Sequence, residues 1–539
     1  MTNCVASIDA GTTSVRCMIF DETAKVLASH QLEFAQYFIH PGWHEQDAHE
    51  IVEKCYQCIE RAVADLGKLD GGKWNVKVIG ITNQRETTVV WDKDTGLALT
   101  RAIAWPDTRT AHTVRELAKK SPKGTDAVKA ETGLPLSTYF AAVKLRWMLD
   151  NLPEVKKAHD EGRLRFGTID SWLLYNFTGA TAGPDGGVHV TDSSNASRTM
   201  FMDLRKQTWD QALCDFFGVR IDVLPRIASS SEVYGQMRGG PLDGVAIGGI
   251  LGDQMAALVG NKCFAAGEAK NTYGTGAFLL YNTGTHVVNS ANGLLSTIAY
   301  KAGPNAPVHY ALEGSIAVAG SAIKWVRDSL GLIKDASEIG PLAAQVEDAG
   351  GVYFVTAFSG LFCPYWDDSA AGTVVGLTSY TDRRHFCRAT IEATCYQTEA
   401  ILDAMAKDSG IHLKALQVDG GMTNSDEAMQ IQADILGIAI ERPEMRESTA
   451  LGSAIMAGSA IGLFGWNVNE PHTLDKVNRA GKQRFEPRIS AQKRRAGKKG
   501  WERAVQRSRG WNVNEDEDDG GKENASATGA ARVGEKAAM

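Results

Sequence analysis

No uninterrupted apolar run of about 18 residues, the length needed to cross a bilayer as a helix, occurs anywhere in the chain. The amino-terminal MTNCVASIDAGTTS also lacks a basic segment leading into an apolar one, as a secretory leader would have. An excess of positive charge is missing too: 57 Lys and Arg stand against 64 Asp and Glu, a formal net charge of −7. Nucleic-acid binding, which needs a concentrated basic surface to neutralise phosphates, is not expected. Cysteine is sparse, with nine residues scattered in an odd number, so no disulfide framework is expected and a reducing compartment fits best. Cys55-Tyr56-Gln57-Cys58 has CxxC spacing but no second pair, and it reads as buried thiols on a helix rather than a zinc or redox site. These absences predict a soluble cytoplasmic protein without a transmembrane segment; peripheral association with an organelle is left open.

What is present is ordinary globular composition, 43% hydrophobic and 22% charged, over 539 residues. That length predicts two large domains or several small ones. Residues 4–8 and 15–20 are short apolar runs around Asp9-Ala10-Gly11-Thr12-Thr13-Ser14, a hairpin pattern. A helix is predicted near 47–67, with Asp47 as cap and Ile51, Cys55, Ile59 and Val63 at i+4 spacing, followed by strands at 76–81 and 87–91. The same grammar restarts after residue 265: strands at 268–273 and 277–281 flank Gly274-Thr275-Gly276. Helices near 318–330 and 383–408 follow, and then a strand at 416–418 runs into Asp419-Gly420-Gly421. This alternation predicts an α/β chain, and the two similar openings suggest duplicated halves around a cleft. From Asn512 to Met539 acidic residues outnumber basic ones and large apolar side chains are nearly absent, so that tail is expected to be disordered. Lys493, Arg494, Arg495, Lys498 and Lys499 before it read as a solvated helix face, with a localisation signal or an anionic surface contact as the alternatives.

Gly11 and the hydroxyl-rich Thr12-Thr13-Ser14 form a turn whose N–H groups and hydroxyls can converge on an anion. Asp9, at the strand end, is a carboxylate suited to Mg²⁺ or its waters. Gly274-Thr275-Gly276 and Gly420-Gly421 offer two more places where backbone can approach a nucleotide. Each turn alone also fits a plain structural hairpin; three in order, each after a strand, are far more specific.

DAGTTSVR, ITNQRET, AWPDTR, GDQMAAL, NTYGTGAFLL, VDGGMTN and ESTALGSAIMAG together resemble the FGGY family of sugar and polyol kinases, most closely its glycerol-phosphorylating members, from about residue 4 to about 511. The resemblance implies an α/β fold of two actin-like (ribonuclease-H-like) ATPase domains, 1–261 and 262–511, with the catalytic cleft between them and 512–539 as the tail. It implies ATP and Mg²⁺ as cofactors, phosphorylation of glycerol to sn-glycerol 3-phosphate, and a homodimer or homotetramer. Asp253 matches the catalytic base; Arg85, Glu86, Trp105, Tyr139, Gln254 and Phe278 match the residues around the triol. A small triol has almost no apolar surface, so charged and amide groups backed by aromatic walls suit it. Thr12, Thr13, Ser14 and Arg16 match the first phosphate turn, Gly274 and Thr275 the second. Gly320, Lys324, Gly421 and Ser425 correspond to positions that the resemblance implies lie along the nucleotide, and Asp9 to the one near the metal.

Taken alone, Asp253-Gln254 after Gly252 also suits an ordinary helix N-cap, Arg85-Glu86 a surface ion pair, and the three aromatics a core. Bacterial members often carry Gln where Lys324 stands and Asn where Ser425 stands, which weakens the adenine-side match. They also hold the inhibitor fructose 1,6-bisphosphate on a Gly-Gly-x-Arg loop, and here Gly239-Gly240-Pro241-Leu242-Asp243-Gly244 places Leu242 where the Arg would stand. The rival expectations are an FGGY kinase for xylulose or gluconate, and a non-catalytic actin-like ATP-binding protein.

Overall fold

Asp9 to Ser14 turns the chain back on itself as its composition predicts: strands β1 (Thr2–Ala10) and β2 (Ser14–Phe20) pair antiparallel, with Ala10 opposite Val15. The computed structural model describes residues 2–180, 187–479 and 481–512. The expected acidic tail therefore lies outside the described residues except for Asn512. β3 (Val26–Glu33) continues the meander. Helix α1 (Ala48–Lys68) then starts at Asp47, whose carboxylate accepts from the backbone N–H of His49 and Glu50. It buries Ile51, Cys55, Cys58 and Ile59 and leaves Val63 half-buried, so the CxxC pair consists of core thiols on a helix. The chain returns to the sheet as β4 (Trp74–Asn83), parallel to β1.

A long excursion follows, with its own apolar core around Phe140, Leu145, Phe166 and Phe217. The sheet is completed by β5 (Ser231–Gln236) and β6 (Ala246–Gly252), in the order β5-β6-β4-β1-β2-β3. Helix α2 (Asp253–Gly260) leaves the end of β6.

The second half repeats the plan. β7 (Ala269–Tyr273) and β8 (Ala277–Gly284) form a hairpin around Gly274-Thr275-Gly276. After β9 (Leu295–Lys301), β10 (Val308–Ile316) pairs antiparallel with β8. Helices α3 (Gly320–Asp328) and α4 (Arg383–Ser409) precede β11 (Ala415–Gly420), which lies parallel to β7. Helix α5 (Asp426–Leu436), β12 (Ala439–Arg442), helix α6 (Ser448–Ala460) and β13 (Gln483–Phe485) follow. The sheet order is β9-β10-β8-β7-β11-β12-β13. Each half thus has a first strand flanked on one side by an antiparallel meander and on the other by parallel strands, the duplication that the two Gly/Thr turns suggested.

Helix α6 does not stay with its own half. It packs on α2 and on β1, β4 and β6 of the first sheet, and Ser453 Oγ lies 2.7 Å from Ser7 Oγ. Backbones meet directly here: a side chain on Gly452 would run into the Ala256 backbone, and one on Gly260 into Ser448. The last helix, α7 (Ala491–Ser508), carries the basic cluster, but that face is only partly free. Lys493 pairs with Glu347, Lys498 with Asp403, and Arg494 donates to the Ile489 carbonyl, while Arg495 and Lys499 are exposed.

Candidate active site

The parallel strands β1, β4 and β6 end side by side, with Ala10 in register with Asn83 and Asn83 with Gly252. The residues that follow each strand therefore emerge at one edge: the Gly11 turn after β1, Arg85-Glu86 after β4, and Asp253-Gln254 after β6. The carboxyl ends of parallel strands are where open α/β sheets bind ligands. Glu86 has φ of +60°, an uncommon left-handed conformation for a residue with a side chain.

Arg85 is 3% exposed and Glu86 1%, so a surface ion pair is not what they form. Arg85 Nε lies 3.2 Å from Asp253 Oδ1, and Arg85 Nη2 donates to Glu313 Oε1 at 3.1 Å and to the Tyr139 hydroxyl at 3.4 Å. Arg85 Nη1 also bonds Glu313. Glu86 accepts from Arg198 Nε at 2.5 Å, and Arg198 Nη2 reaches Glu313 at 3.2 Å. Two arginines and two glutamates thus form one buried network, and Glu313, from β10 of the second half, closes it from across the cleft. Burial raises the Glu313 carboxyl, but Arg198 and Arg85 outweigh that and hold it down to about 2.

Asp253 is the first residue of α2, behind the cap residue Gly252, and its carboxylate accepts from the Gln254 N–H at 2.7 Å. It is not the helix cap; its nearest charged partner is Arg85. Burial pushes its pKa up, opposed by Arg85 and Lys270. Gln254 Oε1 accepts from Lys270 Nζ at 2.5 Å. The three aromatics are brought together, with the Trp105 ring centroid 5.5 Å from Tyr139 and 6.1 Å from Phe278, both edge-on. Trp105 Nε1 donates to Thr12 Oγ1 at 2.9 Å, which links the aromatic wall to the first turn.

On the turn side, Thr13 and Thr275 are exposed, Thr12 is engaged with Trp105, and Ser14 Oγ accepts from Gln31. Arg16 lies on β2, where it pairs with Glu447 and Gln31. Asp9 makes no hydrogen bond through its carboxylate among the described residues; burial, with Asp253 and Glu447 nearby and only Arg16 opposing, raises it to about 7. The second turn rests on the start of α3: the Gly320 N–H donates to the Gly274 carbonyl at 3.1 Å, so that amide is already used. Gly421 is exposed with open space around it, whereas Gly420, at φ +88° and against the Tyr273 backbone, is the glycine the fold requires. Lys324 is exposed. Ser425 caps α5, with its hydroxyl donating to Glu427 and accepting from the Ala428 N–H.

Comparison with known proteins identifies the family. The model of the FGGY family of carbohydrate kinases, N-terminal domain, matches residues 4–260, and that of its C-terminal domain matches residues 269–461. The chain belongs to the FGGY family of carbohydrate kinases. It is 50% identical to a glycerol kinase of Saccharopolyspora erythraea over 512 residues, covering 95% of this chain and 100% of that protein. It is also 50% identical to a glycerol kinase of Renibacterium salmoninarum, covering 96% and 100%. The crystal structure of Plasmodium falciparum glycerol kinase with ADP superposes with a TM-score of 0.86 at 37% identity, covering 94% of this chain and 98% of that one. A ligand-bound xylulose kinase from Lactobacillus acidophilus superposes at 0.79 with 20% identity over 94% and 97%, a likeness of fold alone.

Three charged residues of this FGGY kinase's cleft escaped sequence reasoning: Arg198, Lys270 and Glu313. Glu313 and Lys270 are buried on strands, at 0% exposure each. Each is an isolated charge in a short strand, VHYALEGSI and AKNTY, and that anomaly was the available signal, since a charged side chain is rarely fully buried without a partner.

Proposed function

We propose that this FGGY kinase transfers the γ-phosphoryl group of ATP to a terminal hydroxyl of glycerol, giving sn-glycerol 3-phosphate. The observation that carries the reading is the convergence of Arg85, Glu86, Asp253 and Gln254 beside the Trp105, Tyr139 and Phe278 rings. This is a small space rich in charged hydrogen-bonding groups with aromatic walls. Near-complete alignment with glycerol kinases at half identity supports the same substrate. The xylulose kinase shares the fold alone.

In this reading the Asp253 carboxylate accepts the proton of the attacking hydroxyl, and its raised pKa makes it a better base than an ordinary aspartate. Arg85 and Gln254 donate to the triol and Glu86 accepts, while the rings exclude water from its carbons. Thr12, Thr13, Ser14 and Arg16 on one side, with Gly274 and Thr275 on the other, border the phosphates. Gly320, Lys324, Gly421 and Ser425 lie along the rest of the nucleotide. Phosphoryl transfer is largely positioning and charge stabilisation, for which backbone N–H groups and hydroxyls on these turns are suited.

Asp9 fits magnesium: it is a hard oxygen ligand whose carboxylate has no hydrogen-bond partner among the described residues. Mg²⁺ usually keeps several of its waters and takes only one or two protein carboxylates. Bound there, Mg²⁺ would neutralise charge on the transferred phosphate. No helix among the described residues is long and apolar enough to cross a membrane, and a cytoplasmic homodimer or homotetramer is the assembly proposed. ADP release measured with glycerol, dihydroxyacetone, xylulose and gluconate tests the reading. Turnover highest with glycerol supports it, a preference for xylulose or gluconate replaces it with a longer-sugar kinase, and no turnover with any of them overturns it.

A further inference from the structure

Lys270 is wholly buried on β7, on the second half of the molecule, yet its ammonium ends on a side chain of the first half. Its Nζ donates to Gln254 Oε1 at 2.5 Å, to Thr272 Oγ1 at 2.9 Å and to the Phe278 carbonyl at 3.2 Å. Three N–H donors meet three acceptors, so the ammonium is fully used within the protein. Two of those acceptors belong to residues that border the triol space, one from each half.

The chemistry of the donor decides the orientation of the amide. An ammonium has no lone pair to offer, so only the oxygen of Gln254 can face it. The Gln254 Nε2 group must then point the other way. It has no acceptor among the described residues, and it is not one of the buried unpaired polar atoms. Left to itself a glutamine amide rotates, and its two ends are nearly the same size. Here one end is locked by a charged hydrogen bond, the stronger kind.

We propose that Lys270 is a positioning residue for polyol recognition, fixing the Gln254 amide so that its N–H donors face the substrate hydroxyls, and doing so only when the two halves are together. The inference rests on Gln254 bordering the polyol site as read above. Lys270 stays protonated in this setting: burial lowers its pKa to about 8, with Asp419 and Asp253 opposing the fall and Arg85 adding to it. Its hydrogen bond to the Phe278 carbonyl holds the backbone of one aromatic wall in the same action. A residue that touched the transferred phosphate would keep a donor free for it, and Lys270 has none.

The test is a double-substitution cycle on the full chain, with Lys270→Met, Gln254→Ala and the pair, reading KM for glycerol, KM for ATP, kcat and the melting temperature. Lys270→Met is expected to raise the glycerol KM about tenfold or more while the ATP KM stays within about twofold. In the Gln254→Ala background it should add less than about twofold. A full effect persisting in that background, or a shift in ATP KM with glycerol KM unchanged, overturns the proposal. Should Lys270→Met fail to fold, Gln254→Glu decides. It keeps an oxygen for Lys270 but has no N–H donors, so a raised glycerol KM is expected, and an unchanged one shows that the amide oxygen, not Nε2, faces the substrate. Wild-type turnover of glycerol judges the substrate reading separately; should another polyol prove the substrate, the cycle is run on that polyol with the same outcomes.

Discussion

Asp253 and Asp9 are both half-buried carboxylates whose pKa is raised by desolvation, and the consequence differs with the task proposed for each. A general base must be ionised and able to take a proton, which an amide cannot do. Asp253→Asn is therefore expected to keep the fold while lowering kcat by about 10²–10⁴-fold. Turnover within about tenfold of wild type removes Asp253 from that role. Asp9 loses its charge as pH falls through about 7, because the folded state raises its pKa to that value. Its affinity for a cation falls with the charge. The Mg²⁺ concentration for half-maximal rate should accordingly rise as the pH is taken from above to below about 7. A requirement that is flat across that range places the metal elsewhere.

Among the elements, helix α6 is where small residues matter most. Its Gly452 and the facing Ala256 backbone are in direct contact, and Ser231 Oγ donates to the Met456 carbonyl at 2.8 Å. Gly452→Val would force α6 and α2 apart, and overpacking of this kind costs about 1–3 kcal/mol. A lower melting temperature in calorimetry is expected, and an unchanged one shows that the helices have room to give. The Gly239–Gly244 loop supports a negative expectation. Its Gly239 N–H donates to Asp243 Oδ1 at 2.7 Å, so a carboxylate occupies the donor that a phosphate would need, and Leu242 is buried at 4% exposure. Pro241 has no N–H to offer. Millimolar fructose 1,6-bisphosphate should leave the rate unchanged at saturating ATP and glycerol, and saturable inhibition lost in Arg238→Ala would identify Arg238 as its ligand.

Across the whole molecule, the two halves meet through ionic side chains as well as through α6. Glu313 reaches from β10 to both Arg85 and Arg198, so the arginine proposed to bind the polyol is held in part by the opposite half. Glu313→Gln keeps the shape and loses the charge. A weakened charged hydrogen bond is worth about 1.5–3 kcal/mol. Both a lower melting temperature and a glycerol KM that rises more than the ATP KM are expected. If both quantities stay at wild-type values, the network is an incidental contact and not a link between the halves.

The sequence by itself determined the local pieces. Asp47 ahead of an i+4 apolar series specified α1, and Gly11 and Gly274 between short apolar runs specified the two hairpins, because caps, periods and turns depend on neighbours in the chain. The named motifs pointed to most of the side chains that line the cleft. Tertiary structure alone decided which groups answer one another across it. Glu313 meets Arg85 from 228 positions away, and α6 leaves its own half to lie on the first sheet. Local spacing could not show that the Ser425 hydroxyl is used as a helix cap, that the Gly320 amide is used by the second turn, or that Lys270 faces Gln254. Hydrogen bonding and desolvation act between atoms that folding brings together, and periodicity along the chain carries no record of which distant partner arrives.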